Sequence, residues 1–525
     1  MLILAILIFC LSFFFRGYGF FYNFPFWVDE FSTAKNARYI LDYGLGIFNN
    51  PNISFEIRNS TLNFLVAVFF KFLGQREWVA RLPLVIIGSF VPVAIYIFSK
   101  KIFNKTTALC ATLLSIFSFF LITWSRQARA YTLFQLLILL AFFEYFKLIE
   151  IFSEKHQSRR ILHLGLFFLV ISLGIITHPM FYMVIFTIII HFFLFKNWKM
   201  IEFFSAPAKL LILFLFLVAL LFQGWREGGL NLIQLNFFPV NNLWYYHSFL
   251  WREYSLISFL GFIGLFIGFL EKKMEILLIL IYIALHLIFI TFMWGHYMTK
   301  YILPIFPFLF IGVGYFITKV SKLIIDQQTI IKSVWRERLH IFIPVFITLF
   351  IIANGDKFIT KPKIYYSLNK HFREIANIDY HKVYSIIKVK GEIDKGKTAV
   401  IDTWPDRVRW YLGNNFKNLY YFKWQNEPGI VSGHFKITEF FYNQDDEKFT
   451  KGKESVRYIG ELSDLLKAMK RYPKGFIFID DSSLQRSVID YAEKNLKKEL
   501  YLDHYPLDDN PYSIWPATLY SWGLN

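Results

Sequence analysis

The sequence predicts a polytopic α-helical membrane domain followed by a smaller α/β domain outside the membrane, and three observations carry that expectation. Apolar runs of about 15 to 22 residues recur from Met1 to near Ala353, each long enough to cross most of the ~30 Å hydrocarbon layer as a helix. Of the 525 residues, 56% are hydrophobic and only 18% charged, whereas soluble domains carry about a quarter charged residues. Beyond Ala353 charges become dense and the apolar runs shorten to strand length. The boundaries expected are therefore 1–353 and 354–525.

The first run, residues 2–22, lacks a basic leader and a small-residue cleavage site and is closed by Arg16, Gly17 and Gly19, so it reads as an uncleaved helix. Further runs near 80–99, 107–124, 130–150, 161–176, 180–196, 208–223, 254–270, 274–293, 301–319 and 339–353 bring the expected spans to about eleven. The stretch 61–73 is short for a span, and basic residues decide its placement. If it does not cross, one side receives Lys100, Lys101, Lys105, Lys147, Lys155, Arg159, Arg160, Lys196, Lys199, Lys272, Lys273, Lys319, Lys322, Lys332, Arg336 and Arg338. The opposite short loops hold Arg126, Arg129, Arg226, Arg252 and Lys300. This positive-inside bias puts the N-terminus in the cytoplasm and makes 61–73 an interfacial or re-entrant helix. The first loop, the Arg126 turn, the 224–253 loop, the His296–Lys300 turn and everything after Ala353 then share the external face.

In the last part, strand-like Thr398–Asp402 and Gly475–Asp480 alternate with helix-like stretches near 461–472 and 483–499, the pattern of a small α/β domain. The two cysteines, Cys10 and Cys110, lie in apolar runs and read as small core residues. The net charge of +18 does not point to nucleic acid, because residues 354–525 hold 27 Lys and Arg against 23 Asp and Glu. The excess sits among the membrane segments, where basic residues set orientation.

The sharpest candidate for chemistry is Phe26-Trp-Val-Asp29-Glu30, which follows the first helix on the external face. Asp29 suits an N-cap, and a carboxylate at the bilayer edge also suits proton abstraction from an acceptor hydroxyl. The turn Trp124-Ser-Arg126-Gln-Ala-Arg129-Ala-Tyr131 places two guanidinium groups on the side that disfavours positive charge. Arg forks match phosphate oxygens, and snorkelling to headgroups is the structural alternative. His296-Tyr-Met-Thr-Lys300-Tyr301 adds a cation and an imidazole at the same level, and Thr177-His178-Pro179 adds a second imidazole. No metal motif is present; a divalent cation, Mg or Mn, has only Asp29 and Glu30 to hold it.

These residues resemble the GT-C superfamily of glycosyltransferases, in the branch containing the protein O-mannosyltransferases and the aminoarabinose transferases of lipid A. The resemblance spans most of residues 1–320. It is carried by Asp29-Glu30 with the Ala34-Lys-Asn-Ala-Arg38 helix, Ala80-Arg81-Leu-Pro83, Ser125-Arg126-Gln-Ala-Arg129-Ala-Tyr131, and Lys300-Tyr301-Ile-Leu-Pro-Ile-Phe-Pro307. It implies a GT-C fold, an external active site, a polyprenyl-phosphate sugar donor, and direct displacement with inversion and no required cofactor. By the same resemblance Asp29 is the base with Glu30 beside it, Arg126, Arg129, Lys300 and Arg58 hold the donor phosphate, and Tyr131, His178, His296 and Tyr301 line the substrate. Many relatives have a Lys after the fifth or sixth helix, where this chain has Thr177-His178.

The expected function is therefore an integral-membrane glycosyltransferase of a bacterial inner membrane. Its acceptor would be lipid A or another surface glycan, or a protein hydroxyl, and the C-terminal domain would be periplasmic. A transporter or flippase is the alternative, since many spans with charges at the membrane edge also suit transport. Against it, the charges gather on one face and no paired interrupted halves occur.

Overall fold

Among the described residues, seven helices are long and apolar enough to cross a bilayer: Leu2–Tyr22, Glu77–Ile102, Tyr131–Ile151, Arg159–Thr177, Glu275–Met293, Thr299–Asp326 and Trp335–Asn354. Leu243–Glu253 and Ser255–Leu270, bent by 96° at their junction, make an eighth if counted as one span. The computed structural model describes residues 2–22, 25–44, 60–152, 157–194, 240–271, 274–294, 298–327, 333–366, 378–391, 397–413, 416, 418–422, 440–443, 448–451, 454–480, 484–502 and 516–524. The expected run near 208–223 lies outside them.

The helices, in chain order, are α1 (Leu2–Gly17), α2 (Val28–Tyr43), α3 (Ser60–Leu73), α4 (Glu77–Ile102), α5 (Lys105–Phe117), α6 (Phe119–Ser125), α7 (Tyr131–Phe152), α8 (Gln157–Thr177) and α9 (Tyr182–Leu194). They continue with α10 (Leu243–Ser248), α11 (Ser255–Leu270), α12 (Met274–Ile288), α13 (Phe306–Asp326), α14 (Ser333–Asn354), α15 (Tyr380–Gly391), α16 (Pro405–Leu412), α17 (Leu462–Arg471) and α18 (Arg486–Asn495). The single apolar run expected at 107–124 is two helices. Ser118 between them is extended, its bridge to Phe358 and the Ile359 N–H bond to the Phe117 carbonyl (2.7 Å) interrupting the helix. The stretch 61–73 is the 14-residue α3, one face of which is buried at Leu62, Asn63, Val66, Ala67 and Phe70.

The chain forms two compact units. The first comprises Met1–Phe9, Phe90–Ser118 and Tyr131–Thr360 and is helical. Its tightest seam is between α11 and α13. A Cβ added at Gly264 would lie 1.9 Å from the Gly312 carbonyl oxygen, and one at Gly312 would lie 2.1 Å from that of Gly261. Only glycine lets the two backbones approach so closely, as small residues do where membrane helices pack. α7 is tied to the start of the last buried helix by the Gln135 amide, which donates to the Leu303 carbonyl at 2.8 Å.

The second unit comprises Cys10–Ser89, Phe119–Ala130 and Lys361–Asn525. It contains an eight-stranded sheet of β1 (Thr398–Asp402), β2 (Leu419–Phe422), β3 (Phe440–Asn443), β4 (Lys448–Lys451), β5 (Glu454–Ile459), β6 (Lys474–Ile479), β7 (Lys497–Leu502) and β8 (Ala517–Trp522). The order is β3-β4-β5-β2-β1-β6-β8-β7, with β5, β2, β1 and β6 parallel and antiparallel strands on both flanks. β1 is buried along its whole length, as the central strand of a sheet covered on both faces must be. The order in which strands are added reverses at β1, with β2 on one side and β6 on the other, and open α/β sheets usually admit a ligand at the carboxyl ends of the strands flanking such a point, here β1 and β6. The Arg407 side chain fills that place. Its guanidinium bonds Asp402 and Asp480, each at 2.6 Å, and all three are buried. The Tyr384 hydroxyl donates to Asp402 and the Thr403 hydroxyl to Asp480.

Candidate active site

Asp29 and Glu30 sit in the first turn of α2, where carboxylates favour the positive end of the helix dipole. The expected cap role of Asp29 is corrected. The helix opens at Val28, and Glu30 accepts from the Trp27 amide at 3.3 Å while donating its own amide to the Trp27 carbonyl at 2.9 Å. Glu30 is fully buried. Its carboxylate is held by the Arg81 fork, with Nε on Oε1 at 2.7 Å and a terminal nitrogen on Oε2 at 2.6 Å, and Oε1 also accepts from the Ala128 amide at 2.7 Å. Arg81 further donates to the Pro25 carbonyl at 3.2 Å. A bidentate, fully desolvated pair of this kind fixes orientation in two directions. Glu30 is therefore the anchor that pins α2 to α4 and to the turn after α6.

Asp29 is different in kind, with its side chain 28% exposed. Arg129 touches it twice, one guanidinium nitrogen donating to its backbone carbonyl at 3.0 Å and another lying 3.3 Å from its Oδ2. Two adjacent carboxylates are thus each assigned their own arginine, one buried and committed, the other at the surface and oriented. Both Glu30 oxygens are taken by Arg81, and no group of three or more His, Cys, Asp or Glu able to hold a metal ion occurs among the described residues.

Arg126, expected on a phosphate, donates to three backbone carbonyls, those of Tyr18 (2.9 Å), Lys363 (3.3 Å) and Ile364 (2.6 Å), and its guanidinium lies 4.8 Å from the Tyr366 ring. Burial lowers its pKa to about 10, which leaves it charged at neutral pH. Its side chain ties together the segment after α1, the 119–130 turn and the chain entering the α/β domain. Arg58 lies outside the described residues.

In the helical unit the structure brings Tyr131, His178, Lys300 and Tyr301 together. Lys300 is buried, its ammonium 5.5 Å from the Tyr131 ring and 5.4 Å from the Tyr301 ring, and Tyr131 lies 5.9 Å from Tyr301 and 5.2 Å from His178. His178 stacks on Phe134 at 5.1 Å and its Nδ1 accepts from the Met180 amide at 3.2 Å, capping the turn Pro179–Phe181. Trp294, which the sequence reading did not single out, completes the aromatic ring at 5.7 Å from Tyr301 and 6.5 Å from His178. His296 lies outside the described residues. Arg81 was visible as part of a motif, but only the structure shows its role; a charge in the second turn of a long apolar helix was the available signal.

The family model of dolichyl-phosphate-mannose-protein mannosyltransferases matches residues 61–225. No curated protein matches the chain significantly in sequence. Among solved structures, the chain is similar to apo ArnT from Cupriavidus metallidurans, with a TM-score of 0.58 at 10% identity, covering 99% of this chain and 97% of that one. ArnT bound to undecaprenyl phosphate matches at a TM-score of 0.56 and 9% identity over the same shares. The oligosaccharyltransferase AglB from Archaeoglobus fulgidus, in complex with an inhibitory peptide and a dolichol-phosphate, matches at 0.53 and 10% identity over 91% of this chain and 69% of that one. The chain has the GT-C fold of these structures, a set of apolar helices with a small C-terminal sheet domain.

Proposed function

We propose that the chain is an inverting membrane glycosyltransferase that moves a sugar from a polyprenyl-phosphate donor to an acceptor hydroxyl on the external face of a bacterial inner membrane. The observation that carries the reading is the division of labour at the start of α2: Glu30 is buried and clamped, while Asp29 is partly exposed and oriented by Arg129. The lipid-phosphate ligands of the ArnT and AglB structures support the choice of donor. In this reading Asp29 takes the proton of the acceptor hydroxyl as its oxygen attacks the anomeric carbon. The bond from that carbon to the phosphate oxygen breaks, and polyprenyl phosphate leaves on the opposite side with inversion. General-base action of this kind contributes about 10²–10⁴-fold. We assign the leaving phosphate to Lys300 on its chemistry, a buried ammonium among tyrosines, and to Arg58 from the first loop. The N-terminus is placed in the cytoplasm and the α/β domain outside, on the distribution of basic residues.

The test is transfer by the full-length protein in nanodiscs, offered radiolabelled polyprenyl-phosphate sugars together with extracted envelope lipids and proteins, beside Asp29→Asn. Label transfer that the variant loses supports the reading and identifies sugar and acceptor together. Transfer that survives in the variant removes Asp29 from the mechanism, and no transfer from any lipid donor by folded protein rejects the reading.

A further inference from the structure

The α/β domain does not merely follow the helix that carries Asp29; within the second unit it grips it. Asp406 at the start of α16 pairs with Lys35 of α2 at 3.1 Å, and the Arg38 guanidinium lies 3.9 Å above the Trp410 ring. Trp410 also contacts Phe26 (5.0 Å) and stacks on Phe70 of α3 (6.1 Å), and Phe31 meets the Tyr411 ring at 5.9 Å. The segment Trp404-Pro405-Asp406 is thus the beginning of a brace against α2.

One line of that brace is made of charges. His381 in α15 places Nε2 3.1 Å from Oε1 of Glu77, the first residue of α4, and the Tyr411 hydroxyl donates to the same oxygen at 2.7 Å. Glu77 stands one helical turn before Arg81, on the same face. Arg81 forks onto Glu30, and Glu30 accepts from the amide of Ala128, next to the Arg129 that holds Asp29. The line from the α/β domain to the candidate base thus runs through the His381–Glu77 pair, the charge of Glu77 acting on Arg81, the Arg81–Glu30 fork, and the Ala128 amide beside Arg129.

We propose that His381 is a positioning residue for Asp29, acting as an imidazolium through Glu77 and the Arg81–Glu30 clamp, so that transfer weakens when His381 loses its proton. The proposal rests on Asp29 being the base. The groups facing His381 are Glu77 and Arg81 from α4, Tyr411 from α16, and Asp379 and Lys382 beside it in the chain. The hydrogen bond to Glu77 raises its pKa most; partial burial and Arg81 oppose, and the charges of Glu77 and Asp379 add to the rise. A folded-state value above the ordinary histidine value of about 6.5 means that the charged contact is complete at lower pH and is lost as pH rises through the folded value.

The experiment compares wild type, His381→Gln, His381→Lys and Asp29→Asn as full chains in nanodiscs. Initial rates are taken across about pH 5–9 with a labelled polyprenyl-phosphate sugar, and amide hydrogen exchange is followed over the first turns of α2. The wild type is expected to show an alkaline limb in kcat, abolished by His381→Lys, which stays charged. His381→Gln is expected to lower kcat about tenfold with the donor KM unchanged, since misorientation of a base acts on the chemical step. Exchange at the start of α2 should rise in His381→Gln and, after correction for intrinsic rates, in wild type at alkaline pH. Wild-type kcat, pH profile and exchange in His381→Gln overturn the proposal. If no variant or wild type transfers sugar, the base assignment falls, while unchanged or raised exchange in His381→Gln still decides the coupling.

Discussion

At the scale of single residues, the informative contrast is between neighbours of identical charge. Glu30 is buried and bonded on both oxygens, so removing it takes from the buried Arg81 the carboxylate it forks onto; Asp29 is 28% exposed, and when its charge is removed Arg129 keeps its bond to the Asp29 backbone carbonyl. Glu30→Ala should therefore lower stability by about 3–5 kcal/mol, seen as a fall in the thermal midpoint. Asp29→Asn should leave the midpoint near that of wild type and reduce transfer at least about 100-fold. Equal destabilisation by both would mean that the two carboxylates share one structural role. Arg129 sharpens the point. A lysine there keeps the charge but cannot reach the backbone carbonyl and the carboxylate of Asp29 together, so Arg129→Lys should lower kcat about tenfold with the donor KM intact. A selective rise in KM would return Arg129 to the phosphate.

At the scale of elements, the site depends on what α2 is packed against. An isolated 16-residue helix is marginal in water, and α2 has charged and polar residues through much of its length. Its stability comes from the Glu30–Arg81 anchor at one end and from the aromatic contacts of Phe31 and the Arg38–Trp410 stack along its side. In the helical unit the corresponding device is the glycine seam of α11 and α13. Gly264→Ala would set a methyl group 1.9 Å from a backbone oxygen, which side-chain movement cannot relieve, so the helices must part. The variant should unfold at lower temperature in detergent, whereas Gly165→Ala, where a Cβ meets nothing within 4 Å, should match wild type.

At the scale of the whole molecule, each unit has a centre that does not depend on lipid-phosphate chemistry. In the second unit it is the Asp402–Arg407–Asp480 triad under Tyr380 and Phe478. Burial opposes the Arg407 charge, but Asp402 and then Asp480 outweigh it and hold the guanidinium protonated far above its ordinary value. Arg407→Ala strands two buried carboxylates and should cost about 3–5 kcal/mol, read as early melting of the β-sheet by circular dichroism. Because α15 and α16 belong to this domain and also brace α2, transfer should fall as the sheet melts. Retained transfer after melting would show that α2 stands alone.

Much of this protein was legible without coordinates. Spans follow from the length of apolar runs, because a bilayer offers no partner for an open backbone and only a helix of sufficient length satisfies it. The α/β domain follows from short apolar strands alternating with helices, and Asp29, Glu30, Arg129 and Lys300 stand out as charges beside long apolar runs. Which carboxylate is buried and clamped and which stays partly exposed is not readable from the sequence. That choice was made by Arg81, 51 residues from Glu30, and by the Ala128 amide, 98 residues away. Nor could it show that Arg126 serves carbonyls up to 238 residues distant, or that Glu77 answers to His381. Periodicity and composition report local preference and average environment. Pairing between buried charges is decided by which side chains the fold desolvates together, and only the tertiary structure contains that information.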